Sequence, residues 1–371
     1  MTIAVDAMGG DRAPFVVVQG AVEAAREYGH SIILVGDSEI VRAELGKHDA
    51  EGLPISVKHA DEVVAMDELP SQAMRKKKKS SIRLAVDLVR SGESRAFVSA
   101  GNTGAAMAHA KYRWGRLKGV ERPAIAAGLP TPEGLAILLD AGATLDCKPK
   151  HLVQFAIMGE MYARYILHKS DPRVALLSIG EEEAKGNDVI REAYTALKRS
   201  SLNFIGNLDG KEVYQGKADV IVCDGLIGNV ALKISESAAE MMQKVLRKEL
   251  SRTWQSRLGA FILKPAFRNL KKAVDYSEYG GAPLLGVNGV CIIAHGRSSA
   301  KAIKNAIRMA GEFMENRVNE HIMEDLETLH DIRQAQSRSA PFWNFVKGRG
   351  RSGRGETEGG GSRPATEEEG S

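Results

Sequence analysis

The stretch VIVCDGLIGNVALKISESAAEMM, from Val220 to Met242, decides the fold, because an apolar run passes into small polar residues and then into a helical pattern. Val220 to Cys223 predict a buried strand, and the pattern from Ala231 onward predicts a helix. The predicted turn between them contains Asp224, Gly225, Gly228 and Asn229. Since the first N–H groups of a helix have no partners within it, such a unit suits the binding of a small anion.

The same order of strand, polar glycine loop and helix recurs elsewhere in the chain. These loops contain Asp6, Gly9, Gly10 and Asp11; Ser99, Gly101, Asn102, Thr103 and Gly104; Asp140 and Gly142; Gly180, Glu181, Lys185, Gly186 and Asn187; and His295, Gly296, Ser298 and Ser299. A glycine after a strand often serves turn geometry alone, but turns do not require so many amide and hydroxyl groups. In an open parallel sheet such loops share one edge, so we expect all of them to converge on one polar, phosphate-sized pocket.

Length and composition favour an α/β protein, as one large unit or two lobes. The chain has 371 residues, 38 of them glycine, and only 5% aromatic residues. Strands that alternate with helical patterns predict a mainly parallel sheet covered on both faces. The three cysteines, Cys147, Cys223 and Cys291, form no CxxC pair, and no HExxH motif occurs, so neither a metal site nor a disulfide framework is expected.

The N-terminal residues predict a cytoplasmic protein. Met1 to Asp11 contain no basic segment followed by an apolar one, as a secretory signal would. No apolar run reaches the ~18 residues that a membrane span needs.

Two basic segments are candidate interaction surfaces. Arg75 to Lys79 are all basic; the run is either a solvated face or a docking patch for an acidic partner. Leu250 to Lys272 contain no acidic residue, and we expect Pro265 to break a helix there into two amphipathic pieces with an apolar tip. The bulky apolar residues proposed for membrane contact are Trp254, Leu258, Phe261, Ile262, Leu263 and Phe267. Burial against a partner subunit is the alternative to contact with anionic lipid.

The domain prediction is one catalytic unit over residues 1–335, including the amphipathic hairpin at about 250–272, followed by a disordered tail over residues 336–371. The end of the tail consists of Gly, Arg, Ser and Glu, which cannot bury apolar surface. Nucleic acid is not an expected partner, because no aromatic residues interleave with the lysines.

The chain lacks a nucleophile elbow and a Walker motif, and its AMGGD turn lacks the G-x-G-x-x-G spacing of dinucleotide-binding proteins. A bound anion such as phosphate can itself attack an acyl carbon, and the protein then needs only to position it and to stabilise the oxyanion.

Several blocks of sequence, taken together, are similar to one family. They are DAMGGD (Asp6 to Asp11), SAGNTGA (Ser99 to Ala105), IGEEEAKGN (Ile179 to Asn187), CDGLIGNVALK (Cys223 to Lys233), EYGGAPLLGVNG (Glu278 to Gly289) and HGRSS. In order and spacing, from about Thr2 to Val318, they resemble the bacterial phosphate acyltransferases of phospholipid synthesis. Two positions depart from that pattern: Thr144 stands where the family tends to carry Asn, and Arg297 where a small residue is commoner.

The resemblance implies a reaction and its setting. A fatty acyl group would pass from acyl carrier protein to inorganic phosphate, without a metal or an organic cofactor. The implied fold is a three-layer α/β/α sandwich, similar to phosphotransacetylases and to isocitrate and isopropylmalate dehydrogenases. The implied protein is a homodimer that sits peripherally on the inner face of the cell membrane.

Lys185, Asn229 and His295 are the predicted catalytic residues. Lys185 would neutralise phosphate or the oxyanion, or else pair with Glu181 or Glu182. Asn229 would donate to the acyl carbonyl, or else cap a helix. His295 would contact phosphate or protonate the thiolate, or else serve only its turn. Predicted phosphate or substrate contacts are Asp6, Gly9, Gly10, Ser99, Gly101, Asn102, Thr103, Gly104, Gly180, Gly186, Asp224 and Gly228.

Three other functions are weighed against this one. The first is a phosphotransacetylase that uses coenzyme A. The second is an NAD-dependent dehydrogenase, in which Asp37 after SIILVG would bind the ribose, although the glycine spacing disagrees. The third is a non-catalytic scaffold for membrane or carrier protein.

Overall fold

Strands alternate with helices through the two segments that the computed structural model describes, residues 1–267 and 280–327. The strands are β1 (Thr2–Asp6), β2 (Ser31–Gly36), β3 (Ile55–His59), β4 (Ala96–Ser99), β5 (Ala124–Thr131), β6 (Gly134–Leu139), β7 (Val174–Ser178), β8 (Phe204–Asp209), β9 (Val220–Val222), β10 (Ala282–Leu285) and β11 (Val290–Ile293). The helices are α1 (Phe15–Tyr28), α2 (Ser38–Leu45), α3 (Pro70–Lys76), α4 (Ser81–Ser91), α5 (Thr103–Trp114), α6 (Pro149–Tyr165), α7 (Asp188–Leu197), α8 (Gly225–Arg252), α9 (Trp254–Ile262) and α10 (Ala300–Glu315). Residues 264–267 and 318–327 are also helical. The predicted disordered tail, residues 336–371, lies outside the described residues.

Polar residues that follow strands begin many of the helices as N-caps. The side chains of Asp37, Asn102, Asn187, Asp224 and Ser299 each accept a hydrogen bond from a backbone N–H in the first turn of the next helix. Each bond satisfies an N–H group that has no partner inside its helix. Capping therefore accounts for part of the polar pattern that the sequence presents as binding loops, and it is the observed role of Asp37.

The strands form a single 11-stranded sheet in the order β3-β2-β1-β4-β11-β10-β5-β6-β9-β7-β8. The first block, β3, β2, β1, β4 and β11, is parallel throughout. The second block, β6, β9, β7 and β8, is also parallel within itself. Between the blocks, β11 with β10, β10 with β5, and β5 with β6 pair in antiparallel fashion. The second block therefore runs opposite to the first.

This reversal contradicts the expectation that all the glycine loops share one edge of the sheet. The loops after β1, β4 and β11 leave at one edge, and the loops after β6, β7 and β9 leave at the other. The expectation was wrong because it assumed a sheet without antiparallel pairs.

Helices cover both faces of the sheet. Ala4 packs in one apolar cluster with Ala105 and Ala106 of α5. Its neighbours Ile3 and Val5 point to the other face and are equally buried, as expected for a sheet sandwiched between helix layers. On α1, a side chain at Gly20 would meet the Ala300 carbonyl at 2.5 Å, so glycine lets α1 and α10 pack closely. The predicted α/β/α architecture is confirmed.

The helix after β9 begins earlier than the sequence predicts. Asp224 caps α8, so Gly225, Gly228 and Asn229 lie in its first turns rather than in a loop. The helix has 28 residues and ends at Arg252, where Thr253 interrupts it and caps α9. The predicted break before Pro265 is also present, because α9 ends at Ile262. None of the described helices has the combination of length and apolar character that crossing a bilayer requires.

Candidate active site

The loops after β1, β4 and β11 form a first cluster around the buried side chain of Asp6. The Ser99 hydroxyl donates to Asp6 Oδ2 at 2.7 Å, and the Met8 N–H donates to Oδ1 at 3.2 Å. Ser99 Oγ in turn accepts the Gly101 N–H at 3.0 Å. Burial raises the pKa of Asp6, and the hydrogen bonds offset this only in part. The Asp6 carboxylate therefore has a structural role: its oxygens accept hydrogen bonds from the loops and hold them together.

Close backbone contacts hold the loops of the first cluster together. A side chain at Gly9 would stand 2.4 Å from Asp6 Oδ2 and 2.6 Å from the Gly101 nitrogen, so only glycine fits there. The Asp11 N–H donates to the Gly296 carbonyl at 2.8 Å. The structure thus brings together the loops of DAMGGD, SAGNTGA and HGRSS, as the sequence predicts for this subset.

Asn102 holds a neighbouring segment of chain with its side chain. Its Oδ1 accepts the Ala105 N–H at 2.9 Å, and its Nδ2 lies 2.9–3.1 Å from the carbonyls of Ala65, Met66 and Glu68. These bonds occupy the carboxamide that was predicted to hold phosphate. Thr103 is exposed at the start of α5.

The loops after β6 and β9 form a second cluster around Asp140. Its carboxylate accepts four backbone N–H groups, those of Ile125 (2.8 Å), Gly142 (3.0 Å), Ala143 (3.0 Å) and Thr144 (2.6 Å). Burial raises the pKa of Asp140, and these bonds lower it in part. The sequence places Asp140 in a glycine loop but does not reveal this organising role, because the Asp-Gly signal is also that of an ordinary turn.

The first turn of α8 docks directly on the Asp140 loop. The Gly225 N–H donates to the Thr144 carbonyl at 2.9 Å. A side chain at Gly228 would lie 1.9 Å from the Asp140 carbonyl, so glycine is required for this contact. The Thr144 hydroxyl donates to the Pro123 carbonyl at 3.0 Å and is therefore used inside the protein.

Asn229 and Lys185 present unengaged polar groups at the edge of the second block. Asn229 is exposed next to Gly142, and its carboxamide has no hydrogen bond within the described residues. Lys185 is exposed in the loop after β7, the strand beside β9. Of the described carboxylates, none lies within ion-pairing distance of Lys185; Glu181 pairs instead with Lys211. Pairing of Lys185 with Glu181 or Glu182 is therefore not its observed state.

The Lys185 loop is itself well supported. Asn187 caps α7 through the Ile190 N–H at 3.0 Å, and Asn207 Nδ2 donates to the Glu182 carbonyl at 2.9 Å. Gly186 has φ +94°, a left-handed conformation that favours glycine. Gly180 faces the side chain of Lys185, where a Cβ would lie 3.2 Å from its Cγ.

His295 belongs to the first cluster. Its Nδ1 accepts the Arg297 N–H at 3.0 Å, so the neutral ring carries its proton on Nε2. The Arg297 guanidinium reaches Glu240 on α8, with Nη1 and Oε1 3.4 Å apart. The bulky residue that departs from the family pattern thus links the first cluster to α8.

Apolar side chains on α9 and the following turn are strongly exposed. Trp254 is 71% exposed and Phe261 73%, and no residue of α9 is buried. Leu258, Ile262 and Leu263 are exposed as well, whereas Phe267 is half-buried.

The arrangement is a large α/β protein with glycine loops at helix N-termini, and solved structures share the fold. A phosphotransacetylase from Streptococcus pyogenes matches with a TM-score of 0.59 at 20% identity over 85% of this chain and 94% of that one. A branched-chain phosphotransacylase from Enterococcus faecalis V583 matches with a TM-score of 0.51 at 14% identity, over 84% of this chain and 98% of that one. The predicted likeness to phosphotransacetylases is confirmed at the level of the fold, and the likeness to the isocitrate and isopropylmalate dehydrogenases stays a prediction.

Sequence comparison is more specific. The profile of the family described as "Fatty acid synthesis protein" matches residues 1–321. The phosphate acyltransferase of Geobacter sulfurreducens is 54% identical over 328 residues, covering 88% of this chain and 95% of its own. That of Pelobacter propionicus is 53% identical, covering 89% and 95%. The chain therefore belongs to the phosphate acyltransferase family, and the predicted resemblance is confirmed.

Proposed function

We propose that this protein transfers a fatty acyl group from the thioester of acyl carrier protein to inorganic phosphate, which gives acyl-phosphate for phospholipid synthesis. A phosphate oxygen attacks the acyl carbon, a C–O bond forms and the C–S bond breaks. The sulfur leaves as a thiolate and takes up one proton. Family membership supports the reaction; the choice of acyl carrier protein over coenzyme A rests on the sequence motifs.

The observation that carries the proposed site is that Asn229, near the start of α8, and Lys185, in the loop after β7, both have side chains without a hydrogen bond or an ion pair within the described residues. The dipole of α8 places partial positive charge at its start, which favours a bound anion, although the N–H groups of Gly225 and Ile227 already donate to the Thr144 carbonyl and the Asp224 carboxylate. The Lys185 ammonium adds a full charge in the neighbouring loop, and the Asn229 carboxamide supplies a donor for the oxyanion. No general base is needed, because phosphate is already largely ionised near neutral pH.

The first cluster has a supporting part in this proposal. Backbone N–H groups at Gly10 and Gly104, with the Thr103 hydroxyl, are the remaining candidates for phosphate contact, because the N–H groups of Gly9 and Gly101 donate to the Asp6 carbonyl and to Ser99 Oγ. Asp6 and Asn102 keep these groups in place. His295 is a candidate to hydrogen-bond phosphate through its Nε2–H, and the attacking hydrogen phosphate, which becomes more acidic once acylated, supplies the proton that the thiolate takes up.

The proposed docking site for the carrier protein includes only some of the residues in the basic run, Arg75 to Lys79. Lys77 bridges the Val63 carbonyl and Glu68, at 2.6 Å each, and Lys79 pairs with Asp61 at 2.8 Å. The remaining three residues, Arg75, Lys76 and Lys78, are exposed and form no ion pair within the described residues. We call these three the basic patch; they are free to attract an acidic surface.

The exposed apolar surface of α9 supports contact with the cytoplasmic membrane, and that of α8 supports a homodimer. Arg257 stands among the apolar residues of α9, and Lys264 follows the helix; these positive charges suit anionic lipid. On α8, Ile227, Ile234, Met241 and Val245 are all exposed and share one flank of the helix. A second copy of the chain would cover this apolar flank.

The reaction is tested with purified protein, palmitoyl carrier protein and phosphate. Acyl-phosphate and free carrier thiol should appear in equal amounts, and Lys185→Ala should lower kcat about a hundredfold. Lys198→Ala is the matched control, because Lys198 pairs with Glu183 near the same loop, and it should keep full activity. Wild-type protein that forms no acyl-phosphate would refute the function; an active Lys185→Ala variant would refute only the site.

Membrane contact is tested by flotation with anionic vesicles. Phe261→Asp with Leu263→Asp should release the protein, because two charges then face the lipid. Ile40→Asp on α2, which is 48% exposed, is the control and should float like wild type. A double variant that still floats would exclude α9 as the contact.

A further inference from the structure

Helix α8 has a polar flank that runs from Asn229 toward the first cluster. Successive residues of an α-helix turn by about 100°, so Lys233, Glu236 and Glu240 lie within about 40° of Asn229 around the axis. The apolar flank lies on roughly the opposite side of the helix. A partner subunit on the apolar flank would therefore leave the polar flank uncovered.

The polar flank joins the two clusters through a contact. Glu240 pairs with Arg297 of the HGRSS loop at 3.4 Å. At a rise of 1.5 Å per residue, Asn229 and Glu240 are about 16 Å apart along the axis. The clusters leave the sheet at different edges, yet this one helix face connects them.

From Arg297 the contacts continue to the basic patch. A side chain at Gly296 would meet Met66 Cε at 2.8 Å, so the segment before α3 packs on the HGRSS loop. Asn102 fixes the same segment through the carbonyls of Ala65, Met66 and Glu68. Helix α3 then leads from Pro70 to Arg75 and Lys76 at the patch.

We infer that the phosphopantetheine arm of the carrier protein lies along the polar flank of α8, with the thioester at Asn229. This rests on the proposed function and names the route by which a carrier docked at the basic patch reaches the second cluster. An extended peptide advances about 3.3–3.6 Å for every three backbone atoms, so an arm of about thirteen atoms in line reaches on the order of 15 Å. That reach matches the span from Glu240 to Asn229, so a carrier docked at the basic patch must place the attachment point of the arm beside Arg297 and Glu240.

The chemistry of the flank fits the arm better than it fits the fatty acyl chain. The arm carries amide and hydroxyl groups, and Lys233, Glu236 and Glu240 offer polar partners for them along the span. A hydrocarbon chain would gain nothing from these charges.

The test places a bulky side chain midway along the span. Glu236→Trp should lower kcat/KM for palmitoyl carrier protein about tenfold or more, because the indole occupies the path of the arm. It should change kcat/KM for palmitoyl-N-acetylcysteamine, which lacks most of the arm, by less than about twofold. Glu236→Ala removes one polar partner but leaves the path open, so it should lower kcat/KM for palmitoyl carrier protein by less than about threefold.

Glu249→Trp is the matched control. Glu249 pairs with Arg252 at 3.3 Å, as Glu236 pairs with Lys233 at 3.4 Å, but it lies beyond the Arg297 contact. Glu249→Trp should leave kcat/KM unchanged for both thioesters. A Glu236→Trp variant that keeps wild-type activity with the carrier, or loses activity equally with both thioesters, would overturn the inferred path. Wild-type protein inactive with both thioesters would instead refute the proposed function.

Discussion

The two glycine-loop clusters are both built around a buried aspartate, but they differ in what they leave available to a substrate. In the first, Asp6 accepts the Ser99 hydroxyl and the Met8 N–H, and Asn102 is occupied by backbone groups. In the second, the Asp140 carboxylate accepts four backbone N–H groups, and Asn229 remains unengaged within the described residues. A carboxylate that takes over the structural hydrogen bonds frees the neighbouring amide for chemistry.

The largest expected effect is on the stability of the second cluster. Asp140→Ala leaves the N–H groups of Ile125, Gly142, Ala143 and Thr144 without their acceptor, at a cost of about 3–5 kcal/mol in the free energy of unfolding. Asp6→Ala removes fewer bonds and should cost about 1–3 kcal/mol. Urea unfolding measures both. Equal losses in the free energy of unfolding would mean that the two carboxylates contribute equally to stability, which would contradict the prediction.

Substitution of Asn229 should affect the reaction rate, whereas substitution of Asn102 should affect stability. Asn229→Ala should lower kcat about a hundredfold, as expected for an oxyanion donor, with little change in unfolding. Asn102→Ala should destabilise the protein by about 1–2 kcal/mol through loss of the cap and of the bonds to the 65–68 segment. Steady-state kinetics and urea unfolding of both variants decide the matter. The reverse pattern would place the reaction at the first cluster.

The raised pKa of Asp6 predicts a smaller, pH-dependent effect. When folding raises a carboxyl pKa above its ordinary 3.8, the native state holds the proton more tightly than the unfolded state does. Its contribution to stability is full below that value and is lost as the pH rises through the folded pKa. Wild type should therefore lose stability relative to Asp6→Asn as the pH increases from about 4. Parallel stability profiles, measured by urea unfolding across this range, would contradict the buried, proton-binding carboxyl.

The smallest expected effect is on the KM for phosphate. If the second cluster binds it, Thr103→Val should change the KM for phosphate by less than about twofold, whereas Lys185→Ala should raise it about tenfold, the equivalent of roughly 1.4 kcal/mol. Initial rates at varied phosphate concentration measure both constants. A large change in KM for Thr103→Val would move the phosphate to the start of α5.

The sequence predicts most of the elements of this fold but not the direction of its strands. Apolar runs such as Val220 to Cys223 identify strands by composition, and composition is the same whichever way a strand runs. Two of the three antiparallel pairs, β5 with β6 and β10 with β11, are hairpins of consecutive strands, and the third joins β10 to the distant strand β5. Apolar patterns contain no information on the pairing of distant strands, and the prediction treated the two hairpins as part of a parallel sheet, so all the loops were expected at one edge.

Local signals also mislead where one residue type serves two purposes. Gly225, Gly228 and Asn229 predict a turn, yet Asp224 caps a helix that starts at Gly225, and the glycines allow it to touch the Asp140 loop. The basic run predicts five equivalent charges, yet Lys77 and Lys79 are held by Glu68 and Asp61. Only tertiary contacts distinguish these cases.

The contact of Gly228 with the Asp140 carbonyl also sets the rotational phase of α8. A helix fixed in rotation at its first turn has every later side chain assigned a direction, about 100° per residue, as far as Arg252. One residue inserted between Gly228 and Glu240 would swing Glu240 away from Arg297 and turn Met241 and Val245 by the same angle. Both flanks would be misaligned by a single change in length.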